Sequence, residues 1–154
     1  MQLFLNDLPT LLTVIGMFLA VSFSGMGCAI GGGMIAKATS ALMSEQPEKF
    51  GQSLVLYMMS ASQGLYGFII AFLIFFLRLG DGLTMAQAMR CLGAGAIAGI
   101  GGMITAIHQS VAAAAGVQIL AKKPEHTTKG VIYSAMVETY AMFGFVISMF
   151  LIIM

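Results

Sequence analysis

The sequence contains very few charged residues. Only 8% of its 154 residues are charged and 59% are hydrophobic, and the mean hydropathy is +0.97. Soluble domains carry roughly 25% charged residues. The composition therefore excludes an ordinary soluble domain and predicts an integral membrane protein. The net charge of +1 offers no strongly basic surface, so we expect no nucleic-acid partner.

Cysteine and tryptophan are almost or entirely missing. Cys28 and Cys91 stand singly in apolar runs and form no CxxC pair, which excludes a disulfide framework. We expect both to act as small apolar residues. The absence of tryptophan leaves no evident aromatic cage for an organic substrate. Glycine, in contrast, occurs 19 times, and glycine in apolar segments predicts closely packed membrane helices.

Four apolar segments are long enough to cross a bilayer, which takes about 20 residues. They cover roughly 9–43, 51–78, 86–121 and 129–154. The breaks between them read SEQPEKFGQ, RLGDGLTMAQ and KKPEHTTKG, and each combines charges with Pro or Gly, as turns do. The pattern predicts an all-α membrane protein with four transmembrane helices.

The basic residues indicate how these helices are oriented. The first and third breaks are flanked by five lysines, and the middle one by two arginines: Lys37, Lys49, Lys122, Lys123 and Lys129 against Arg78 and Arg90. Basic residues favour the cytoplasmic side of a membrane. We therefore predict a multi-pass protein with loops 44–50 and 121–129 in the cytoplasm and both termini outside. The expected location is the plasma membrane.

The sequence contains an internal repeat. QPEKFGQ…LYGFII at 46–70 recurs with a constant offset as KPEHTTK…MFGFVI at 123–147. The unit is a two-helix hairpin used twice, so we predict two domains, 1–78 and 79–154. The first helix of each hairpin is glycine-rich and the second is bulky. We expect the glycine-rich helices to pack inside and the bulky ones to face lipid.

One carboxylate lies deep in the last apolar segment. Glu138 is the only acidic residue well inside any predicted span. An ionised side chain at the bilayer centre costs about 2.5–3.5 kcal/mol on insertion scales, so it should have partners. The first hairpin carries Ala61 at the equivalent position. We therefore expect one acidic site to serve all four helices.

Three polar residues are predicted at the same depth as Glu138. Glu138 follows Pro124, and Gln109 precedes that proline by nearly the same distance along the chain. Ser62 and Gln63 follow the equivalent proline of the first repeat, residue 47, by a matching distance. With a rise of about 1.5 Å per residue, all four sit roughly 20 Å from their turns. Polar groups at that level must bond to one another.

A proton or a hard cation could neutralise this cluster, because no Lys or Arg lies at the same depth. Burial favours a protonated carboxyl, whereas oxygen ligands suit a hard cation. Two amides and a hydroxyl favour a dehydrated Na⁺. Tyr66 shares the helix face of Ser62 and Gln63 and could donate to Glu138. His108 lies about 100° around its helix from Gln109, and we do not expect it to be a ligand.

Less specific interpretations remain open. Glu138 could be a structural polar residue, and Gln63 and Gln109 could simply join helices. Ser62 could bond to its own helix, and Tyr66 could be a packing residue.

Four stretches resemble a known family: QPEKFGQ, SQGLYGFIIAFLIF, VAAAAGVQILAKKPEH and AMVETYAMFGFVIS. They resemble the proteolipid c subunit (subunit K) of bacterial V-type ATPases, most closely its sodium-translocating members. The resemblance implies a homo-oligomeric rotor ring among membrane lipids, turning against a stator subunit with an essential arginine. It implies central-stalk subunits at the cytoplasmic loops and ATP hydrolysis in a separate soluble sector. The chain itself would then be no enzyme.

The resemblance also implies roles for individual residues. The family carboxylate matches Glu138, and the neutral ligands match Gln63 and Gln109. The family hydroxyl, typically Thr, is Ser62 here. The expected cargo is Na⁺, with a proton-translocating version as the alternative.

Two further roles follow from the resemblance. The tyrosine partner of the carboxylate matches Tyr66, and a backbone carbonyl ligand falls at Met59. In a continuous helix that carbonyl would bond to the Gln63 N–H, and no nearby Pro or Gly is obviously placed to free it. We therefore expect Met59 to be the weakest ligand.

Two functions of other classes stay possible at this point. One is a small cation-coupled transporter that binds an organic substrate between its helices. The other is a structural or pore-forming oligomer in which Glu138 lines water, and it predicts no saturable ion binding.

Overall fold

The protein is built from helices joined by short turns. The structure, a computed structural model, describes residues 2–79 and 82–154, and side chains from residue 7 onward. Gly80 and Asp81 of the predicted second break lie outside this range. The helices are α1 (Gln2–Glu45), α2 (Phe50–Met58), α3 (Ser62–Arg78), α4 (Met85–Lys122) and α5 (Thr127–Ile153). No strand occurs within the described ranges, in agreement with the predicted all-α class.

The turns that separate the helices have local causes. Pro47 and Pro124, at equivalent positions of the repeat, each open a single 3₁₀ turn, at Pro47–Lys49 and Pro124–His126. Proline suits that position because the missing N–H would have no helical partner. Helix α4 starts at a capping box, in which Gln87 N–H donates to Thr84 Oγ1 (3.3 Å) and Thr84 N–H to Gln87 Oε1 (3.0 Å). The repeat in the sequence is thus a repeat in turn structure.

Three helical stretches are long and apolar enough to cross a membrane. They are Asp7–Glu45, Met85–Lys122 and Pro124–Ile153. The predicted second segment differs from expectation, because it is not one continuous helix. It divides into Pro47–Met58 and Ser62–Arg78, which meet at an angle of 41°. Only the two parts together are long and apolar enough to cross a membrane.

The two glycine-rich helices, α1 and α4, pack backbone against backbone. A Cβ atom on Gly95 would collide with the Gly16 carbonyl, and one on Gly99 with the Leu19 carbonyl. The same holds for a glycine of α1, because a Cβ atom on Gly27 would lie 2.5 Å from the Met103 Cα of α4. Only residues without side chains permit such an approach. The predicted close packing of the glycine-rich helices is confirmed.

Large apolar side chains are exposed on every helix, and α3 and α5 carry most of the exposed phenylalanines. Phe72 and Phe76 of α3 are 49% and 63% exposed, and Phe143 and Phe150 of α5 are 66% and 58% exposed. Such a surface suits contact with lipid or with another apolar chain. In this chain, α3 and α5 present aromatic outward faces, while α1 and α4 share the tightest contact and also expose apolar side chains such as Phe18 and Ile104.

Two basic side chains join the first half of the chain to the second half, at opposite ends of the structure. Lys49 Nζ donates to the carbonyls of Leu120 and Ala121, both at 3.0 Å. At the other end, the Arg78 guanidinium donates to two carbonyls in the last turn of α5, those of Ile152 (2.6 Å) and Ile153 (2.8 Å). Cations at helix C-termini satisfy orphan carbonyls and complement the helix dipole. These contacts join α3 to α5 and the first turn to α4, with the polar cluster between them.

We predict that Gly99→Ala lowers the thermal stability of the detergent-solubilised chain. The new methyl group would meet the Leu19 carbonyl, and overpacking of this kind costs about 1–3 kcal/mol. Unfolding can be followed with a thiol-reactive dye, since Cys91 is 1% exposed. Gly101→Ala is the matched control, because nothing lies within 4 Å of its Cβ position. Equal midpoints for both variants would contradict the packing described here.

Candidate ion-binding site

Glu138 lies on α5, and its carboxylate accepts hydrogen bonds from two neighbouring helices. The Tyr66 hydroxyl on α3 donates to Oε1 at 2.8 Å. The Gln109 amide on α4 donates to Oε2 at 3.2 Å. The one ion pair among the described residues is between Glu125 and His126, at 4.0 Å. Within that part of the chain, Glu138 is thus held by neutral donors alone.

A chain of hydrogen bonds continues from Gln109 into α3. The Gln63 amide donates to Gln109 Oε1, and the Ser62 hydroxyl lies 3.2 Å from Gln63 Oε1. Ser62 Oγ also lies 3.4 Å from the Met59 carbonyl. Both glutamine side chains are fully buried. The structure therefore brings together all the residues that the depth argument placed at one level.

Met59 lies in the break between α2 and α3. The backbone bonds found across this break join Ala61 N to Met58 O (3.1 Å) and Leu65 N to Ala61 O (3.4 Å). In this described stretch, no backbone N–H of the following turn bonds to the Met59 carbonyl. The expectation that a continuous helix engages this carbonyl is wrong. The sequence contains no proline here, and the break arises without one.

Tyr66 is held by more than its hydrogen bond. Its ring lies 5.0 Å from that of Phe145, centroid to centroid, with the planes tilted by 31°. Such tilted pairs are favourable aromatic contacts. Phe145 belongs to α5, the helix that carries Glu138. The aromatic contact thus fixes the orientation of the phenol relative to the carboxylate's own helix.

Comparison with known proteins identifies the family. The family model for the ATP synthase C subunit matches residues 15–74 and again residues 92–151. The chain belongs to this ATP synthase C subunit family. The second match begins and ends where the offset of the sequence repeat carries the first one. The family that the sequence motifs indicated is confirmed.

The chain is similar to several proteins over most of its own length. The chain is 53% identical over 140 residues to the V-type sodium ATPase subunit K of Enterococcus hirae, covering 91% of this chain and 89% of that protein. It is 33% identical to the A-type ATP synthase subunit K of Methanocaldococcus jannaschii, over 94% of this chain and 63% of that protein. Identity to the V-type proton ATPase 16 kDa proteolipid of Rattus norvegicus is 27%, over 90% and 88%.

Ser134 also contributes to the site, although the sequence did not single it out. Its side chain is fully buried on α5, and its hydroxyl donates to the backbone carbonyl of Gln109 at 3.3 Å. Ser134 thereby helps to set the position of α5 against α4 beside the carboxylate. Its place one helical turn before Glu138, on the same helix face, was the available signal.

The two cysteines and His108 were not expected to bind the ion. Cys91 packs among Ala94 and Ala98 in an apolar cluster, as expected. Cys28 differs, because its sulfur also accepts a hydrogen bond from Gly64 N–H at 3.0 Å. His108 is exposed and lies outside the hydrogen-bonded chain of the site.

We predict that Tyr66→Phe speeds carbodiimide labelling of Glu138 in sodium-free buffer at fixed pH. Carbodiimides react at the oxygens of protonated carboxyls, and loss of the phenol frees Oε1 from its hydrogen bond. Loss of a single charge-assisted hydrogen bond changes an equilibrium constant roughly tenfold, so we expect a change of that order in the labelling rate. The variant keeps the ring against Phe145.

Tyr140→Phe is the control for that comparison. Tyr140 lies close to Glu138 in the chain, is 69% exposed and contacts the Phe143 ring instead, at 6.4 Å. The labelling rate of this variant should match that of the wild type. If Tyr66→Phe also labels at the wild-type rate, the phenol does not govern the carboxylate.

Proposed function

We propose that the chain is a non-catalytic membrane rotor subunit of a V-type ATPase. In this role each copy carries one Na⁺ at Glu138 across the membrane, driven by ATP hydrolysis in a separate soluble sector. The observation that carries the proposal is the setting of Glu138: one carboxylate, neutral oxygen-bearing partners from other helices, and no cation among its described contacts.

The charge balance favours a monovalent ion. The cluster has one negative charge when Glu138 is ionised, and its other members are neutral. A bare carboxylate facing lipid is costly, whereas the same carboxylate with one bound Na⁺ is close to neutral. A rotor subunit needs this property, because its site must travel through the lipid phase while loaded and lose its ion only where the carboxylate finds another partner.

The number of oxygens favours sodium over a proton. A proton on Glu138 requires one acceptor, whereas a dehydrated hard cation requires several oxygen ligands. The side chains of Ser62, Gln63 and Gln109 offer three oxygens beside the carboxylate. The relative at 53% identity is named as a sodium ATPase subunit, and the proton ATPase relative above is 27% identical. Proton transport by the same rotor is the alternative.

Ion binding would rearrange the hydrogen bonds of the amides. Gln109 presents its NH₂ group to Glu138 and accepts from Gln63. For a cation to bind, both amide oxygens must turn toward it, and rotation about the last side-chain torsion is the movement that would turn them. The Met59 carbonyl, left without a helical N–H at the break, is available as a further ligand. Tyr66 can keep its bond to Oε1 throughout.

We further infer the assembly around the site. In this proposal, the bent pair α2–α3 forms one span, so that residues 1–78 and 79–154 are two hairpins of two spans each. Copies of the chain form a homo-oligomeric ring in the plasma membrane, with both termini outside. Loops 44–50 and 121–129 face the cytoplasm and contact the central stalk. A stator arginine displaces the ion and pairs transiently with Glu138, and half-channels make the exchange directional.

Sodium should protect Glu138 from carbodiimide in the detergent-solubilised protein at fixed pH. We expect saturable slowing of labelling by NaCl but not by KCl, because bound Na⁺ keeps the carboxylate ionised. Labelling that responds to pH alone would favour the proton alternative. That result would leave the polar neighbours as hydrogen-bonding partners of a protonated carboxyl.

Glu138→Gln should abolish ATP-driven ²²Na⁺ uptake by vesicles containing the complete ATPase. The amide keeps the size of the side chain but cannot supply the charge that binds the ion. Ring assembly, measured by the mass of the purified oligomer, should be unchanged. The amide oxygen of the variant can still accept from Tyr66, and the close backbone packing of α1 on α4 does not include residue 138. Transport at the wild-type rate by a correctly assembled variant would exclude Glu138 as the carrier.

A further inference from the structure

We propose that Cys28 is a positioning residue for the ion site. Its sulfur caps the start of α3 and keeps the break between α2 and α3 open, which leaves the Met59 carbonyl without a helical N–H and accessible to the ion. This inference rests on the proposed function, since it concerns one ligand of the same site.

The local sequence does not require a break between α2 and α3, so the break needs another explanation. Residues 57–64 read YMMSASQG, without proline. In a continuous helix, the Gly64 N–H would bond to the Ser60 carbonyl and the Gln63 N–H to the Met59 carbonyl. In the structure, Gly64 N–H instead donates to Cys28 Sγ on α1, at 3.0 Å. The sulfur therefore takes the donor that a continuous helix would use.

This contact has the role of an N-cap supplied by another helix. Ser62 is the first residue of α3 and Gly64 its third, so the Gly64 N–H is one of the donors that a helix start leaves unpaired. No side chain of the preceding residue caps this end. An unpaired N–H at membrane depth is costly. A thiol is only a weak acceptor, but here it satisfies a group that would otherwise re-form the helix.

Glycine allows α1 to bring the sulfur this close. A Cβ atom on Gly64 would lie 3.2 Å from Cys28 Sγ, and one on Gly67 would collide with Ser24 and the Ala20 carbonyl. The two glycines lie one helical turn apart and share one face of α3. Their face packs on α1 along the line that ends at Cys28, so the position of the sulfur is set by helix packing.

Two serines support the break on its other side. Ser60 Oγ lies 3.3 Å from the Tyr57 carbonyl, and Ser62 Oγ lies 3.4 Å from the Met59 carbonyl. Such side-chain bonds compete with helical ones. They satisfy carbonyls but cannot satisfy an N–H that has lost its partner. Removing the thiol should therefore let the Gly64 N–H return to Ser60, which straightens the segment and draws the Met59 carbonyl back into a helical bond.

The test compares Cys28→Ala, Cys28→Ser and the wild type in the carbodiimide assay, with NaCl as the probe. Loss of one ligand should raise the NaCl concentration for half-protection about five- to tenfold in Cys28→Ala, the change expected for one hydrogen-bond-sized interaction. Cys28→Ser keeps an acceptor and should stay within about twofold of the wild type. Cys91→Ala, at the other free cysteine, is the control and should not shift the midpoint.

The rate of labelling without sodium separates this effect from general damage. Tyr66 and Gln109 still bond to Glu138 in Cys28→Ala, so its sodium-free rate at fixed pH should equal that of the wild type. If this variant does not fold, Gly64→Ala replaces it, because the new methyl group crowds the sulfur away from the N–H, and it should raise the midpoint similarly.

The outcomes distinguish the inference from the function on which it rests. A wild-type chain without sodium protection would overturn the proposed function itself. Sodium protection in the wild type with an unchanged midpoint in Cys28→Ala would overturn only the role of Cys28. A Cys28→Ser midpoint as high as that of Cys28→Ala would also contradict it, because the effect would then not depend on the acceptor.

Discussion

The cost of one carboxylate in an apolar medium is the constraint on which this structure depends. Glu138 cannot face hydrocarbon as a bare charge, and the described chain offers it neutral partners and no cation. Tyr66 and Gln109 approach it from two other helices, and Gln63 and Ser62 extend the polar chain. Such an arrangement lowers the cost of the charge without cancelling it, which is the property that the proposed monovalent-cation site requires.

The rest of the fold keeps that cluster in place. Glycines bring α1 and α4 into backbone contact, and Lys49 and Arg78 join opposite ends of the first repeat to the second. The duplicated hairpins have diverged at the centre, where the position equivalent to Glu138 is Ala61. The second repeat thus supplies the charge and Gln109, and the first repeat supplies Ser62, Gln63 and Tyr66, so the proposed ion site would be shared by the two repeats.

Much of this could be predicted from the sequence, because its signals are local. Apolar length predicted the helices, paired turn motifs predicted the repeat, and counting from Pro47 and Pro124 placed the polar residues at one depth. The break at Met59 could not be predicted, because the sulfur that caps it belongs to Cys28, on another helix far back in the chain. Ser134 was missed because a serine in an apolar helix has several equally plausible partners.

An experimental structure of the protein in NaCl, at a resolution that separates an ion from its ligands, would show whether the polar cluster holds sodium. We expect one ion per chain, bounded by oxygens of Glu138, Gln109, Gln63 and Ser62 and by the Met59 carbonyl, with both amide oxygens turned toward it. Glutamine amides still bonded to each other and to Glu138, with no ion density between them at saturating sodium, would contradict it.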